Sequence, residues 1–202
     1  MIKNIVFDLG NVLVDFNPQA YLKSLGYADA EIQPLIDIIY GDYWNKYDRG
    51  DYKTVADLRI ALCKKYPKYG NDFFKILQPD WVKIHTVRED TAEYLSQLKQ
   101  RGYKIYILSN LAYESYGFIQ KLEFFKKTDG GVFSYLERHC KPEEEIYRIF
   151  LERYSLNPDE TVFLDDKPEN IEAAEKFGIH GIVFTDFSSA KKQLEEKLNL
   201  SI

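Results

Sequence analysis

Short apolar runs alternate along this chain with longer stretches whose apolar residues keep helical spacing. The first run, residues 2–7, stops at Asp8-Leu9-Gly10-Asn11 and predicts a buried strand. Runs at 103–108, 161–164 and 181–184 predict three more, the run at 161–164 being entered through the turn Asn157-Pro158-Asp159. Between them lie amphipathic segments. One carries Ala92, Leu95 and Leu98 on its inner face, opens on the capping box Thr86-Val87-Arg88-Glu89 and stops at Gly102. Another carries Ile171, Ala174 and Phe177 up to Gly178.

Strands that alternate with helices need long crossovers, so the pattern predicts a doubly wound, Rossmann-like parallel α/β sheet covered on both faces. Ligands of such sheets sit beyond the carboxyl ends of the strands, and the polar residues there become the candidates. Residues 17–85 break the alternation. They predict helices at 19–25, 30–40, 55–66 and 72–77 with no central strand, and they hold many aromatic residues, Tyr40, Tyr43, Trp44 and Tyr47 among them. The expected organisation is therefore an α/β core formed by 1–16 and 86–202, with 17–85 inserted as a helical cap.

Composition narrows the partners. A formal net charge of -5 over 202 residues gives no cluster of Lys and Arg for a nucleic-acid backbone. The first apolar run is too short for a secretion signal and is interrupted by Asp8, and no stretch approaches the roughly 20 apolar residues of a membrane span. The expectation is a cytoplasmic protein without nucleic-acid or membrane partners. Cys63 and Cys140 have no CxxC spacing and read as free thiols, and His85, His139 and His180 lack zinc-ligand spacing.

Four polar clusters fall at or near strand ends: Asp8, Ser109-Asn110, Lys141-Pro142 and Asp165-Asp166. Each alone could be a turn or a helix cap. Together they supply what phosphoryl transfer requires. Asp8 is a carboxylate nucleophile, Asp8 and Asp166 can share Mg²⁺ through hard oxygen ligands, Ser109 can donate to a phosphate oxygen, and Lys141 balances charge.

These residues resemble the motifs of the haloacid dehalogenase superfamily. Phe7-Asp8-Leu9-Gly10-Asn11-Val12-Leu13 is similar to its first motif, Leu108-Ser109-Asn110 to the second, Lys141-Pro142 to the third and Phe163-Leu164-Asp165-Asp166 to the fourth. An insertion directly after the first motif resembles the first cap class. The resemblance implies that Asp8 is nucleophile and metal ligand, Gly10 offers its carbonyl to Mg²⁺, Asp166 is a direct ligand and Asp165 supports the metal site from behind. Ser109, Asn110 and Lys141 would bind the phosphate group.

One position departs from the phosphatase pattern. The residue two places after the nucleophile is usually an aspartate that protonates the leaving group, and here it is Gly10. Acid–base assistance is worth about 10²–10⁴ in rate, so three readings stand: a phosphatase with a good leaving group or another proton source, such as water, Asp15 or the substrate; a dehalogenase or phosphonate hydrolase; or a non-catalytic binding protein. Paired carboxylates at Asp165-Asp166 favour a metal and so disfavour dehalogenation, while phosphonate hydrolysis would need a Schiff-base lysine among Lys23, Lys46, Lys53, Lys64, Lys65 and Lys68. Asp-Leu-Gly-Asn-Val, with Val14-Asp15-Phe16-Asn17 and Asp48-Arg49-Gly50-Asp51, resembles a bacterial subgroup that includes an α-D-glucose-1-phosphate phosphatase. The expected substrate is accordingly a small phosphorylated metabolite, best a sugar 1-phosphate, met in the cap by Arg49 with Trp44 as a stacking surface. The protein is expected to be a monomer or a homodimer.

Overall fold

A computed structural model describes residues 1–199 of the chain. The four predicted runs become β1 (Asn4–Phe7), β4 (Lys104–Ser109), β6 (Thr161–Asp165) and β7 (His180–Val183). They join β5 (Gly130–Phe133) in one parallel sheet of order β5-β4-β1-β6-β7. The chain leaves β1 in one direction for β4 and β5, then returns to lay β6 and β7 on its other side. That reversal opens a crevice at the carboxyl end of β1.

Alternate residues of each strand face opposite layers. Ile5, Phe7, Ile105 and Ile107 pack on one side, with α6 (Glu89–Gln100) and α11 (Phe187–Lys197) supplying Leu95, Leu98 and Leu194. Val6, Tyr106, Leu108 and Phe163 pack on the other side, against α9 (Glu144–Tyr154) and α10 (Pro168–Glu175). Two shorter helices, α7 (Tyr113–Ile119) and α8 (Ser134–Glu137), follow β4 and β5 at the carboxyl end of the sheet.

Between β2 (Val14–Phe16) and β3 (His85–Val87) lie α1 (Pro18–Ser24), α2 (Asp29–Ile39), α3 (Asp42–Asp48), α4 (Val55–Lys65) and α5 (Gly70–Ile76). These helices enclose a cluster of their own, with Leu22, Ile39, Tyr47, Leu58, Leu62, Phe73 and Trp81 fully buried. The local signals are ordinary ones. Asn17 caps α1 ahead of Pro18, and Thr54 and Asp57 form a reciprocal capping box on α4. β2 and β3 pair as an antiparallel ribbon, so the chain enters and leaves the helical layer through two adjacent strands.

Besides the β2–β3 ribbon, which no apolar run marks, three elements differ from the sequence reading. Thr86 caps nothing: its backbone pairs with Asp15 in the ribbon, and α6 starts at Glu89 with Arg88 in the cap position. β5 was hidden by Gly130-Gly131, which carry no apolar side chain. Glycine is required there because a Cβ on Gly130 would lie 2.5 Å from the Tyr154 hydroxyl. α3 was hidden because its residues, Asp-Tyr-Trp-Asn-Lys-Tyr-Asp, set two aromatics inward without a longer apolar period. No helix among the described residues is long and apolar enough to cross a membrane, and Cys63 and Cys140 are both free.

Trp81 anchors the helical layer, with its ring centroid 4.9 Å from Trp44 and 5.9 Å from Tyr47. Trp81→Ala should therefore cost about 3–5 kcal/mol, the usual range for deleting a buried large aromatic. Urea unfolding measures it; a loss below about 1 kcal/mol would mean that the layer relaxes around the gap.

Candidate active site

Asp8 follows β1 but is still held by the sheet, its N–H donating to the Leu164 carbonyl at 2.9 Å. Its Oδ1 accepts from the Leu9 N–H at 2.7 Å and lies 2.9 Å from Lys141 Nζ. The same ammonium is 2.5 Å from Asp165 Oδ2, and all three residues are buried. Asn110 fixes the lysine from both sides: its amide donates to the Lys141 carbonyl at 2.9 Å, and its Oδ1 accepts from the Lys141 N–H at 2.7 Å. Ser109, at the end of β4, is 1% exposed and lines a cavity with Asp8, its Oγ donating a long hydrogen bond to the Asn110 carbonyl at 3.4 Å.

Asp165 has no oxygen to spare. Its Oδ1 takes the Lys167 N–H and the Asn170 amide, both at 2.9 Å, while Oδ2 takes Lys141. Asp166 is more open and accepts from Asn11 Nδ2 at 2.9 Å. Asp8, Asp165 and Asp166 each place a carboxylate oxygen within 4.8 Å of the others. Three carboxylates around one contacting ammonium leave uncompensated negative charge. Burial pushes the Asp8 carboxyl up to about 6; Lys141 opposes this, and Asp165 adds to it. For Lys141, burial alone would favour the neutral amine, but Asp165 and Asp8 outweigh it and hold the ammonium above its ordinary value.

A cavity of about 190 Å³ opens above Asp8. The strand ends line its floor with Asp8, Gly10, Ser109, Asn110, Lys141 and Asp166. Its other wall is aromatic: Phe16, Tyr40, Trp44 and His85, with Tyr40 and Trp44 rings 4.7 Å apart and Phe16 5.5 Å from His85. Burial drives His85 down to about 4, so its imidazole is neutral near pH 7. Asn45 and Asp48, both from α3, are the polar residues in that wall.

The turn Asp48-Arg49-Gly50-Asp51 fastens α3 to the core. Ser134 Oγ donates to the Asp48 carbonyl at 2.6 Å, Arg49 pairs with Glu143 at 2.5 Å, and Arg138 holds both the Gly50 carbonyl and, at 2.8 Å, Asp51. Gly50 has φ +82°, and a Cβ there would meet the Tyr135 carbonyl at 2.8 Å, so only glycine allows the turn to seat. A second tie runs from α7, where Glu114 accepts from the Tyr47 hydroxyl and from the Val55 N–H at 2.6 Å.

The structure thus brings Asp8, Gly10, Ser109, Asn110, Lys141, Asp165 and Asp166 together, with Trp44 in the facing wall. Arg49 is placed elsewhere: it does not line the cavity over Asp8, and its guanidinium is engaged by Glu143 in an adjoining groove. Asp15 is also outside the cavity, paired with Arg88 at 3.0 Å. Sequence reasoning marked the segment Asp48-Arg49-Gly50-Asp51 but gave its role to Arg49 and none to Asp48. Its carboxyl is pushed up to about 7 by burial, against the pull of Lys167 and the Ala112 N–H, with Asp8 adding repulsion.

A family model of haloacid dehalogenase-like hydrolases matches residues 2–178. The chain is 27% identical over 199 residues to a sesquiterpene phosphatase of Aspergillus oryzae, covering 96% of this chain and 95% of that protein. It is 27% identical to a D-ribitol-5-phosphate phosphatase of Bacteroides thetaiotaomicron, covering 88% of this chain and 89% of the relative. Among solved structures, a HAD-family enzyme of Bacteroides thetaiotaomicron in complex with magnesium and inorganic phosphate shares the fold. Its TM-score is 0.72 at 21% identity, with 93% of this chain and 98% of that chain covered.

A carboxyl whose pKa rises on folding opposes folding when ionised, so the stability it permits is complete at low pH and is lost as pH climbs through the folded value. For Asp48 that window runs from the ordinary 3.8 to about 7. Asp48→Asn should then be more stable than the unmodified protein at about pH 8, on the order of 1–3 kcal/mol, and the gap should close on acidification. Urea unfolding at the two ends of the window checks this. A variant less stable at the alkaline end would show that the charge is already compensated.

Proposed function

The chain belongs to the haloacid dehalogenase-like hydrolases, and on that premise we propose that it is a Mg²⁺-dependent phosphatase of small phosphorylated metabolites that works through an aspartyl-phosphate on Asp8. The observation that carries this reading is the Lys141 ammonium bridging Asp8 and Asp165 beside Asp166. A buried carboxylate oriented by a cation at a strand end is a nucleophile held ready for phosphorus.

The donor set suits Mg²⁺. It consists of oxygens only, and it holds more negative charge than Lys141 balances. Asp8 and Asp166 would hold the ion with the Gly10 carbonyl, while Asp165, saturated by Lys141, Lys167 and Asn170, would set the geometry from behind. When bound, the ion would shield phosphate oxygens and so let two anions approach. The protein supplies the rest. Asp8 attacks phosphorus, Ser109 and Lys141 neutralise the oxygens that gain charge, and the aromatic wall excludes water from the attack.

A dehalogenase attacks carbon and gains nothing from this excess of carboxylates. Phosphonate hydrolysis through a Schiff base also lacks support, since none of the lysines of residues 17–85 lines the cavity. A phosphorylated sugar or polyol fits the wall best: a ring face can lie on Trp44, Tyr40 or Phe16 while hydroxyls reach Asn45 and Ser115. Sugar 1-phosphates are the first candidates because an anomeric oxygen departs more readily than an ordinary alkoxide. The curated relatives support phosphate-ester chemistry, one acting on a polyol phosphate and one on a terpenoid by their names.

Asp8→Asn should lower phosphate release by roughly 10³-fold or more while leaving the fold intact. Chelation should abolish turnover, and added Mg²⁺ should restore it. Retained turnover in Asp8→Asn would end the aspartyl-phosphate reading. In a panel of sugar, polyol and prenyl phosphates, a preference for the prenyl ester would reassign the aromatic wall to a hydrocarbon chain.

A further inference from the structure

Resting on the phosphatase reading, we propose that Asp48 is the general acid and base of the reaction, supplied by α3 in place of a carboxyl at position 10. Asp8 must attack phosphorus in line with the departing oxygen, which therefore points away from the strand ends and toward the inserted helices. With no carboxyl at position 10, a proton donor for that oxygen can come from the helical wall. Among the described residues that line the cavity, the carboxyl groups are Asp8, Asp48 and Asp166, and only Asp48 lies outside the acidic cluster.

The alternatives have other work. Asp15 is paired with Arg88, Glu114 with Tyr47 and Val55, and Glu143 with Arg49. His85 lines the cavity but is neutral at working pH and so has no proton of the required acidity. Among the described residues Asp48 carries no side-chain ion pair; the Ala112 backbone and the more distant Lys167 only partly offset its burial. Its enclosure raises its proton affinity toward neutrality, the range in which a carboxyl both gives and takes protons. The clasp made by Ser134, Arg49, Gly50 and Arg138 fixes the backbone that presents it.

The step balances without a further reactant. As an Asp8 oxygen bonds to phosphorus, the bond from phosphorus to the ester oxygen breaks, and Asp48 gives that oxygen its proton, releasing the alcohol. The resulting Asp48 carboxylate then takes a proton from water as the water oxygen attacks the phosphorus. Phosphate leaves Asp8, and Asp48 is again protonated. With such a donor the enzyme is not confined to anomeric oxygens.

The test is kcat/KM for nitrophenyl, phenyl and alkyl phosphates with Mg²⁺, in the unmodified protein and in Asp48→Asn. Because kcat/KM reports the steps up to formation of the phospho-enzyme, a lost acid should show only where the leaving group needs a proton. Asp48→Asn should lose on the order of 10²–10⁴ on the alkyl ester and only a few-fold on nitrophenyl phosphate, which should now show a burst of nitrophenol because water attack is slowed. Gly10→Asp should restore alkyl-ester turnover to Asp48→Asn, since a side chain at position 10 meets nothing within 4 Å of its Cβ. Equal losses on all esters, or none, would overturn the assignment to Asp48 while leaving Asp8 untouched. If the unmodified protein hydrolysed no ester, or Asp8→Asn hydrolysed them all, the phosphatase reading itself would fall and this assignment with it.

Discussion

Lys141 Nζ, 2.9 Å from Asp8 and 2.5 Å from Asp165, is the contact on which the site depends. Burying a carboxylate is costly unless it is paired, and burying two side by side is more so. One ammonium shared between them makes the arrangement possible, and the rest follows from keeping it in place. Asn110 grips the lysine backbone in both directions, and β4 and β6 run beside β1 so that Ser109, Asp8 and Asp165 end at one level. Removing Lys141 would strand two anions rather than delete one bond. The sheet supplies precision here that a loop could not, since each of these residues is the last of its strand or directly follows it.

The helical layer meets this rigid edge through a small number of polar ties. Its interior is closed by Trp81, Trp44 and Tyr47, so it keeps its own shape, while Glu114, Ser134, Arg138 and Glu143 of the core hold it at α3 and its following turn. Exposed ion pairs of this sort contribute little singly. Their value lies in geometry: together with Gly50, which has no Cβ to collide with Tyr135, they set where the end of α3 stands over the cavity.

Much of this was legible in the sequence because strand ends are marked by composition. Apolar runs stop at Asp8, Ser109 and Asp165, and a parallel sheet forces those stops to one edge, so the floor of the site could be read before any coordinates. The wall could not. Asp48 sits in an aromatic segment whose periodicity is too short to declare a helix, and its neighbour Arg49 is the residue that charge alone recommends. Which of two adjacent side chains faces a cavity depends on where the helix ends and how its turn is fastened, and those are set by Ser134, Arg138 and Glu143, far away in sequence. β5 and the β2–β3 ribbon were missed for a related reason: backbone pairing, not side-chain pattern, makes them strands.

Gly10 and Asp48 then become two sides of one arrangement. A carboxyl at position 10 would stand within the strand-end cluster, where Asp8, Asp165 and Asp166 already crowd one ammonium. Placing the proton-transferring group on α3 moves that charge to the opposite wall, where burial rather than a third aspartate raises its pKa. The cost is borne by stability, because a buried carboxyl without a contacting cation opposes folding whenever it is ionised. Such a group persists where its proton is used, and in a cavity where Ser109 and Lys141 attend to phosphate and Asn45 and Ser115 face the rest of the substrate, it is the leaving group that has use for it.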